Sequence, residues 1–247
     1  MKFKTVQATA VKAVFEVLKD ILNDVNIYFN KDGISILTLD TARAALVDLR
    51  LNAENFEEYI FKDNELSAGF NISNTYKLLK SISNNDILIG EIETSEFFKM
   101  KIENKSKNSY SQFSLKLLDI DEDQIQKPEL KMDCVTTMPS INFQRICRDM
   151  NNLATDVEII RKDNEFIIQC EGDFADQKTV IECADETPFK GTIQGRYSLK
   201  YLNMFTKATG MCSTVQIMQE FDNRFLVLKY NIADLGELKF YLAAKVD

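Results

Sequence analysis

The chain has 247 residues, 45% of them apolar, enough to fill one large core or two cores of about 120 residues each. Thirty basic residues against 38 acidic ones leave a net charge of −8, which excludes a surface that is basic all round. Histidine is absent, so Ser-His and Cys-His nucleophile pairs, histidine-ligated zinc and imidazole proton shuttles are excluded as well.

Met1-Lys2-Phe3-Lys4 opens no signal-peptide pattern, and no stretch reaches the roughly 18 uninterrupted apolar residues of a membrane helix. A soluble protein with no membrane partner is expected. In 11–22, Val11, Val14, Phe15, Leu18, Ile21 and Leu22 fall on one helical face. Alternating runs predict strands over 34–39 and 45–51, and Ile72, Tyr76, Leu79 and Ile82 predict a second helix over 72–82. Strands follow at 87–92, 97–102 and 110–117. After an acidic stretch come a strand at 134–138, a helix over 142–153 striped by Phe143, Ile146, Cys147, Met150 and Leu153, and strands at 157–160, 166–170 and 179–183. A helix over 197–208, with a less clean stripe, precedes strands at 215–218, 225–232 and 238–242. Helices few and separate among many strands indicate an α+β fold.

The order of these elements repeats. Phe15 to Asp20 is echoed by Phe143 to Asp149, each followed by a hydrophobic strand and a charged turn, Lys31-Asp32-Gly33 and then Lys162-Asp163-Asn164. Asp119 to Lys131 is acidic, holds one of three prolines and has no sustained period. It divides the chain into two similar domains, 1–118 and 132–247, joined by a connecting loop over 119–131.

The four helical segments carry Lys12, Lys19, Lys77, Lys80, Arg145, Arg148, Lys200 and Lys207 but only three acids, Glu16, Asp20 and Asp149. Their net charge opposes that of the whole chain. The basic pairs are three or seven residues apart, which projects both members to one side of a helix. A cationic strip on an anionic body suits duplex DNA held by its phosphates, without preference for sequence. Enzyme signatures fail. Asp119-x-Asp121-x-Asp123 begins like a calcium loop, but Gln124 stands where glycine is required and Leu130 where the closing glutamate belongs. No phosphate-binding glycine motif occurs, and five cysteines without a C-x-x-C indicate neither disulfides nor a thiolate metal site. Scattered carboxylates leave a magnesium-dependent nucleic-acid enzyme open as an alternative; no cofactor is called for.

Met138-Pro139-Ser140, Phe143 to Met150 (F-Q-R-I-C-R-D-M), Tyr201 to Thr209 (Y-L-N-M-F-T-K-A-T) and Asn231 to Val246 (N-I-A-D-L-G-E-L-K-F-Y-L-A-A-K-V) resemble the eukaryotic-type sliding clamps, the proliferating cell nuclear antigen family. Similarity runs from Val17 to Leu22, through Leu39-Asp40, to the C-terminus. The resemblance implies a non-enzymatic processivity factor of DNA replication and repair: a closed homotrimeric ring with two similar clamp domains per chain, helices on the inner face and β-sheets outside. In such rings the positions matching Lys12, Lys19, Lys77, Lys80, Arg145, Arg148 and Lys207 face double-stranded DNA, with Lys200 beside them.

The resemblance also implies a docking pocket for short anchor peptides of DNA polymerase, clamp loader, ligase and flap nuclease. Its matching positions are Leu39, Arg43, Ala44, Leu46, Ile125, Lys127, Pro128, Phe225, Tyr241, Ala243 and Val246. Lys127 and Ala244 depart from the apolar residue and the proline common there. Family rings close by strand pairing, here 110–117 of one subunit against 177–183 of the next, with Phe113, Tyr110, Gln177, Thr179 and Ile181 at the joint. A nuclear protein is expected, or one at a viral replication site. A subunit of a heterotrimeric checkpoint-type clamp and a monomeric viral processivity factor are the rival assemblies.

Overall fold

The computed structural model of the protein describes residues 1–62, 64–121, 125–183 and 189–245. It forms two compact units. The first comprises Met1–Thr41, Val47–Gln126 and Asn231–Leu238; the second comprises Ala42–Leu46, Lys127–Tyr230 and the chain from Lys239 onward.

The chain first runs through β1 (Lys2–Thr5), α1 (Ala8–Leu18), β2 (Asp24–Asn30), β3 (Gly33–Leu39), β4 (Ala45–Asn52), β5 (Glu58–Ile60), β6 (Leu66–Asn71), α2 (Ile72–Leu79), β7 (Ile87–Thr94), β8 (Phe97–Asn104) and β9 (Ser109–Lys116). One sheet has the order β5-β1-β7-β8-β9, and a second places β6, β2, β3 and β4 side by side. Alternation along β8 buries Phe98, Met100 and Ile102, and the rings of Phe3 and Phe70 meet Phe56 and Phe98 at centroid distances of 5.3 Å each. On the other side of this sheet Lys2, Lys99 and Lys101 are ion-paired with Glu58, Glu93 and Glu103. The connector begins by anchoring to this unit: the Leu118 N–H bonds to Gly69 O at 2.9 Å, and Asn26 Nδ2 donates to Ile120 O at 3.1 Å. A side chain at 69 would put its Cβ 2.4 Å from the Leu118 oxygen, so this approach requires glycine.

The later part of the chain repeats the plan as β10 (Cys134–Pro139), α3 (Ser140–Met150), β11 (Asp156–Lys162), β12 (Glu165–Glu171), β13 (Asp176–Glu182), β14 (Thr192–Ser198), α4 (Leu199–Phe205), β15 (Thr214–Gln219), β16 (Phe225–Ile232) and β17 (Gly236–Ala243). One sheet has the order β13-β12-β11-β14, and β10, β15, β16 and β17 are neighbours in the other. All registered strand pairs within the two units are antiparallel. This is the α+β, two-domain architecture expected. Phe205 of α4 stacks on Phe240 of β17, 4.5 Å between centroids, and carries the helix onto the core.

The helices begin and end elsewhere than the apolar stripes suggest. Helix α1 starts three residues early because Ala8, Thr9 and Ala10 extend it without adding to the stripe, and it ends at Leu18. Ile21 and Leu22 are still buried, on a turn whose N–H groups both bond Leu18 O. Helix α2 starts where Asn71 Oδ1 caps the Asn74 N–H at 2.8 Å. Helix α4 stops at Phe205, where the Thr206 hydroxyl bonds back to Asn203 O and the chain tightens into a 3₁₀ stretch, Thr206–Gly210. Lys207 therefore sits on a 3₁₀ turn, not on the α-helix expected to carry it. Strands β1, β5, β6 and β14 had no clear alternating signal: the first two are short, β6 is rich in small residues, and Tyr197 and Ser198 close β14 rather than open a helix.

Candidate nucleic-acid interface and docking surfaces

In each unit the two α-helices pack on one another, α1 on α2 and α3 on α4. Their apolar stripes are buried: Val11, Val14, Val17 and Leu18 on α1, and Phe143, Ile146, Cys147 and Met150 on α3. The basic residues fall on the opposite sides. Lys77 of α2 and Lys80, which caps its C-terminus, are exposed; Lys77 reaches Asn74 Oδ1 at 3.1 Å. Lys12 and Lys19 are half-buried. Lys12 donates to the Ile82 carbonyl at 2.8 Å, which ties α1 to the turn after α2. Lys19 pairs with Asp20 at 2.9 Å and lies 5.5 Å over the Tyr76 ring. A hydrogen bond to Glu16 is the main cause that raises the Tyr76 phenol above its ordinary pKa. Tyr76, taken in the sequence for a stripe residue, thus belongs to the polar side of the helix pair; one aromatic among lysines gave no separate signal.

In the second unit Arg145, Arg148, Lys200 and Lys207 are all exposed. The Arg148 side chain is 70% exposed, with its Nε 4.0 Å from Asp149. These cations stand on elements that contain one acid, whereas Lys2, Lys99 and Lys101 of the β5-β1-β7-β8-β9 sheet are each paired with a glutamate. Basic residues therefore outnumber acids on the helices, against the sign of the whole chain.

The sheet of order β5-β1-β7-β8-β9 and the sheet of order β13-β12-β11-β14 each end in a strand whose outer edge is unpaired among the described residues. Strand β9 ends one sheet and β13 the other. On β9 Tyr110 is 64% exposed, with Lys101 Nζ 4.3 Å over its ring, and Phe113 is half-buried. On β13 Gln177, Thr179 and Ile181 line a cleft of about 420 Å³ with Met138, Ile146 and Arg145. Arg145 thus borders this cleft as well as standing on α3. Met138 and Ile146 were legible only as core residues, since nothing in a linear stripe marks the point where a core opens at a sheet edge.

The residues expected to bind partner peptides are only partly gathered. Leu39 and Ile125 belong to the first unit, both half-buried. In the second unit the Ala243 N–H bonds Ala44 O at 3.4 Å, and the Ala244 N–H bonds Arg224 O at 3.0 Å, which brings together the strand ends at Ala44, Phe225 and Ala243. Arg43 is exposed in the left-handed region, φ 57°. Leu46 and Tyr241 are buried, while Ala44, Pro128 and Phe225 are half-buried and Ala243 is exposed. Lys127 Nζ lies 5.9 Å over the Tyr241 ring. Val246 lies outside the described residues, as does Asp123 of the calcium-like run.

Among the described residues no group of three or more Asp, Glu or Cys side chains is placed to hold a metal ion, and no helix is long and apolar enough to cross a membrane. All five cysteines are unbridged, and burial pushes the Cys147 thiol well up from its ordinary value.

Residues 1–126 match the sequence family described as proliferating cell nuclear antigen, N-terminal domain, and residues 126–245 match its C-terminal domain. A protein of Paramecium bursaria Chlorella virus 1, named as a probable DNA polymerase sliding clamp, is 36% identical over 254 residues, which cover 97% of this chain and 95% of that protein.

Proposed function

Because the chain belongs to the proliferating cell nuclear antigen family, and so is a non-enzymatic sliding clamp and polymerase processivity factor of DNA replication, we propose that it works as a homotrimeric ring around duplex DNA. The observation that carries this is the charge on its helices. Lys77, Lys80, Arg145, Arg148, Lys200 and Lys207 are exposed on helical elements of a chain whose net charge is −8. Amphipathic helices with exposed cations and few acids offer phosphate contacts that need no base sequence, and an acidic remainder disfavours contact elsewhere. Lys12 and Lys19 join the same surface when their present partners are exchanged for phosphate.

Ring closure is assigned to the two unpaired edges. An exposed edge strand invites uncontrolled pairing unless a partner covers it, and a head-to-tail joint of β9 on β13 covers both in every subunit. Phe113 then fills part of the cleft beside Gln177, Thr179 and Ile181, and Tyr110 lies at the margin. The second-unit surface at Arg43, Ala44, Leu46, Lys127, Pro128, Phe225, Tyr241 and Ala243 is assigned to anchor peptides of polymerase, clamp loader, ligase and flap nuclease, which would extend its work to repair. We assign its place of action to the nucleus or, in keeping with the viral relative, to a viral replication site.

Sedimentation and salt titration test this together. The intact chain is expected as one species at three times 28.4 kDa, moving toward monomer in Phe113→Ala. The Lys77→Ala, Lys80→Ala double variant is expected to remain trimeric and to lower the slope of log affinity for duplex DNA against log salt by about two per subunit engaged. A monomeric wild type removes the homotrimer, and an unchanged slope removes the helices as the DNA surface.

A further inference from the structure

The core of the first unit does not close completely. Side chains from both of its sheets and both of its helices surround a void of about 50 Å³. Leu88 of β7 and Leu49 of β4 stand on its walls, and Val11 and Phe15 of α1 and Thr75 of α2 cover it. Phe15 is half-buried, and the other four are at most 5% exposed. Of the residues around the void Thr75 alone has a polar side chain, and its hydroxyl donates to the Asn71 carbonyl at 2.8 Å. The surface of the void is wholly apolar.

Water gains nothing by entering such a space, because a buried water needs two to four polar partners and none faces it. Left empty, the walls forgo the dispersion contacts that a close-packed core would supply. A polarisable guest without hydrogen-bonding groups restores those contacts and leaves no polar atom unsatisfied. Voids of about 150 Å³ with walls of this kind hold benzene or xenon; at a third of that volume there is room for xenon and not for benzene. We propose that the void is a binding site for one small apolar guest of xenon's size. The guest lies beneath α1 and α2, inside the first unit and apart from the cationic surface that these helices present. The site depends on neither ring formation nor peptide docking.

The full chain, labelled at its methyl groups, is followed by proton–carbon correlation spectra under rising xenon pressure. Shifts that saturate with pressure are expected at Val11, Leu49 and Leu88, whereas Leu202 and Ile217, buried in the second unit, move little. Val11→Ile, which places one more methylene group in the void, is expected to weaken xenon binding about threefold or more. Leu88→Ala, which enlarges the void, is expected to gain benzene binding that the wild type lacks. If Leu88→Ala does not fold, the comparison of wild type with Val11→Ile decides alone. Shifts that rise without saturating, that spread alike over both units, or that keep their full strength in Val11→Ile overturn the proposal, as does a folded Leu88→Ala that takes no benzene.

Discussion

Lys12 and Lys19 of the first unit are held by the protein itself, whereas Arg148 and Lys200 of the second reach into solvent. A phosphate that recruits Lys12 must replace the Ile82 carbonyl, and one that recruits Lys19 must compete with Asp20 and the Tyr76 ring. Arg148, 70% exposed, meets among the described residues only a long contact with Asp149. The units differ inside as well. In the first, the half-buried Tyr59 hydroxyl reaches the carbonyls of Asn30 and Gly33 at 2.8 and 2.7 Å. In the second, the Tyr230 hydroxyl is buried with no hydrogen-bond partner among the described residues. The second unit also buries Arg161 completely, with Nη1 3.1 Å from Thr136 Oγ1, Nε 3.0 Å from Asp163 O and the guanidinium 5.8 Å from the Phe189 ring. One order of elements therefore tolerates two distributions of polar groups, because backbone topology needs only the apolar alternation, while each polar atom needs its own partner.

The contrast is broken most severely at Arg161. Arg161→Ala leaves Thr136 Oγ1 and Asp163 O without this donor and opens a void, and is expected to destabilise the second unit by about 3 kcal/mol, read as a lower urea midpoint. Arg161→Met, which retains the stem, is expected to lose less. A midpoint unchanged by the alanine variant would mean that the guanidinium's burial cancels its hydrogen bonds.

Removing cations tests the helices next. Arg148→Ala with Lys200→Ala is expected to weaken duplex binding about tenfold at low salt, against about threefold or less for Lys12→Ala with Lys19→Ala. Titration of fluorescent duplex at several salt concentrations reads both, and equal losses would show that the protein's own partners do not restrain the two lysines.

The tyrosines give the smallest effects and the sharpest contrast in sign. Tyr59→Phe is expected to cost about 1.5 kcal/mol, whereas Tyr230→Phe is expected to be neutral or slightly stabilising, since it removes a buried hydroxyl that bonds nothing. Burial pushes the Tyr59 phenol up from its ordinary value near 10 to about 12. The folded state thus keeps its proton while the unfolded state loses it. The stability from this group is whole below pH 10 and is lost between about pH 10 and 12, with Tyr197 and Tyr230, pushed higher still by burial, continuing the fall. Urea midpoints across that window are expected to decline less steeply in Tyr59→Phe; an identical slope would assign the decline to other groups.

Much of the plan was legible along the chain. Strong alternation marked β8 and β16, helical stripes marked α1 and α3, and the excess of basic residues on helices survived the uncertainty of their ends, because a shift of three residues leaves a lysine on the same element. Strands β1 and β6 were not legible: the first has four residues, and the second relies on Gly69, whose value lies in the approach of Leu118 rather than in any side chain. Of the docking surface, Leu46 and Tyr241 could be named but not weighed, since a buried tyrosine and an open one have the same neighbours in sequence.

Composition and periodicity by themselves determined that the chain repeats one α+β plan, lacks histidine chemistry and carries an excess of basic residues on its helices, because these properties follow from residue type and spacing. Only the tertiary structure decided which cations are already engaged, that Arg145 borders a cleft at the β13 edge, and that Lys127 sits on Tyr241. Those facts depend on distances between residues far apart in the chain, such as the 2.8 Å from Lys12 to Ile82 or the 5.9 Å from Lys127 to Tyr241, and hydrogen bonds and cation–π contacts fade within a few ångströms of their optimum.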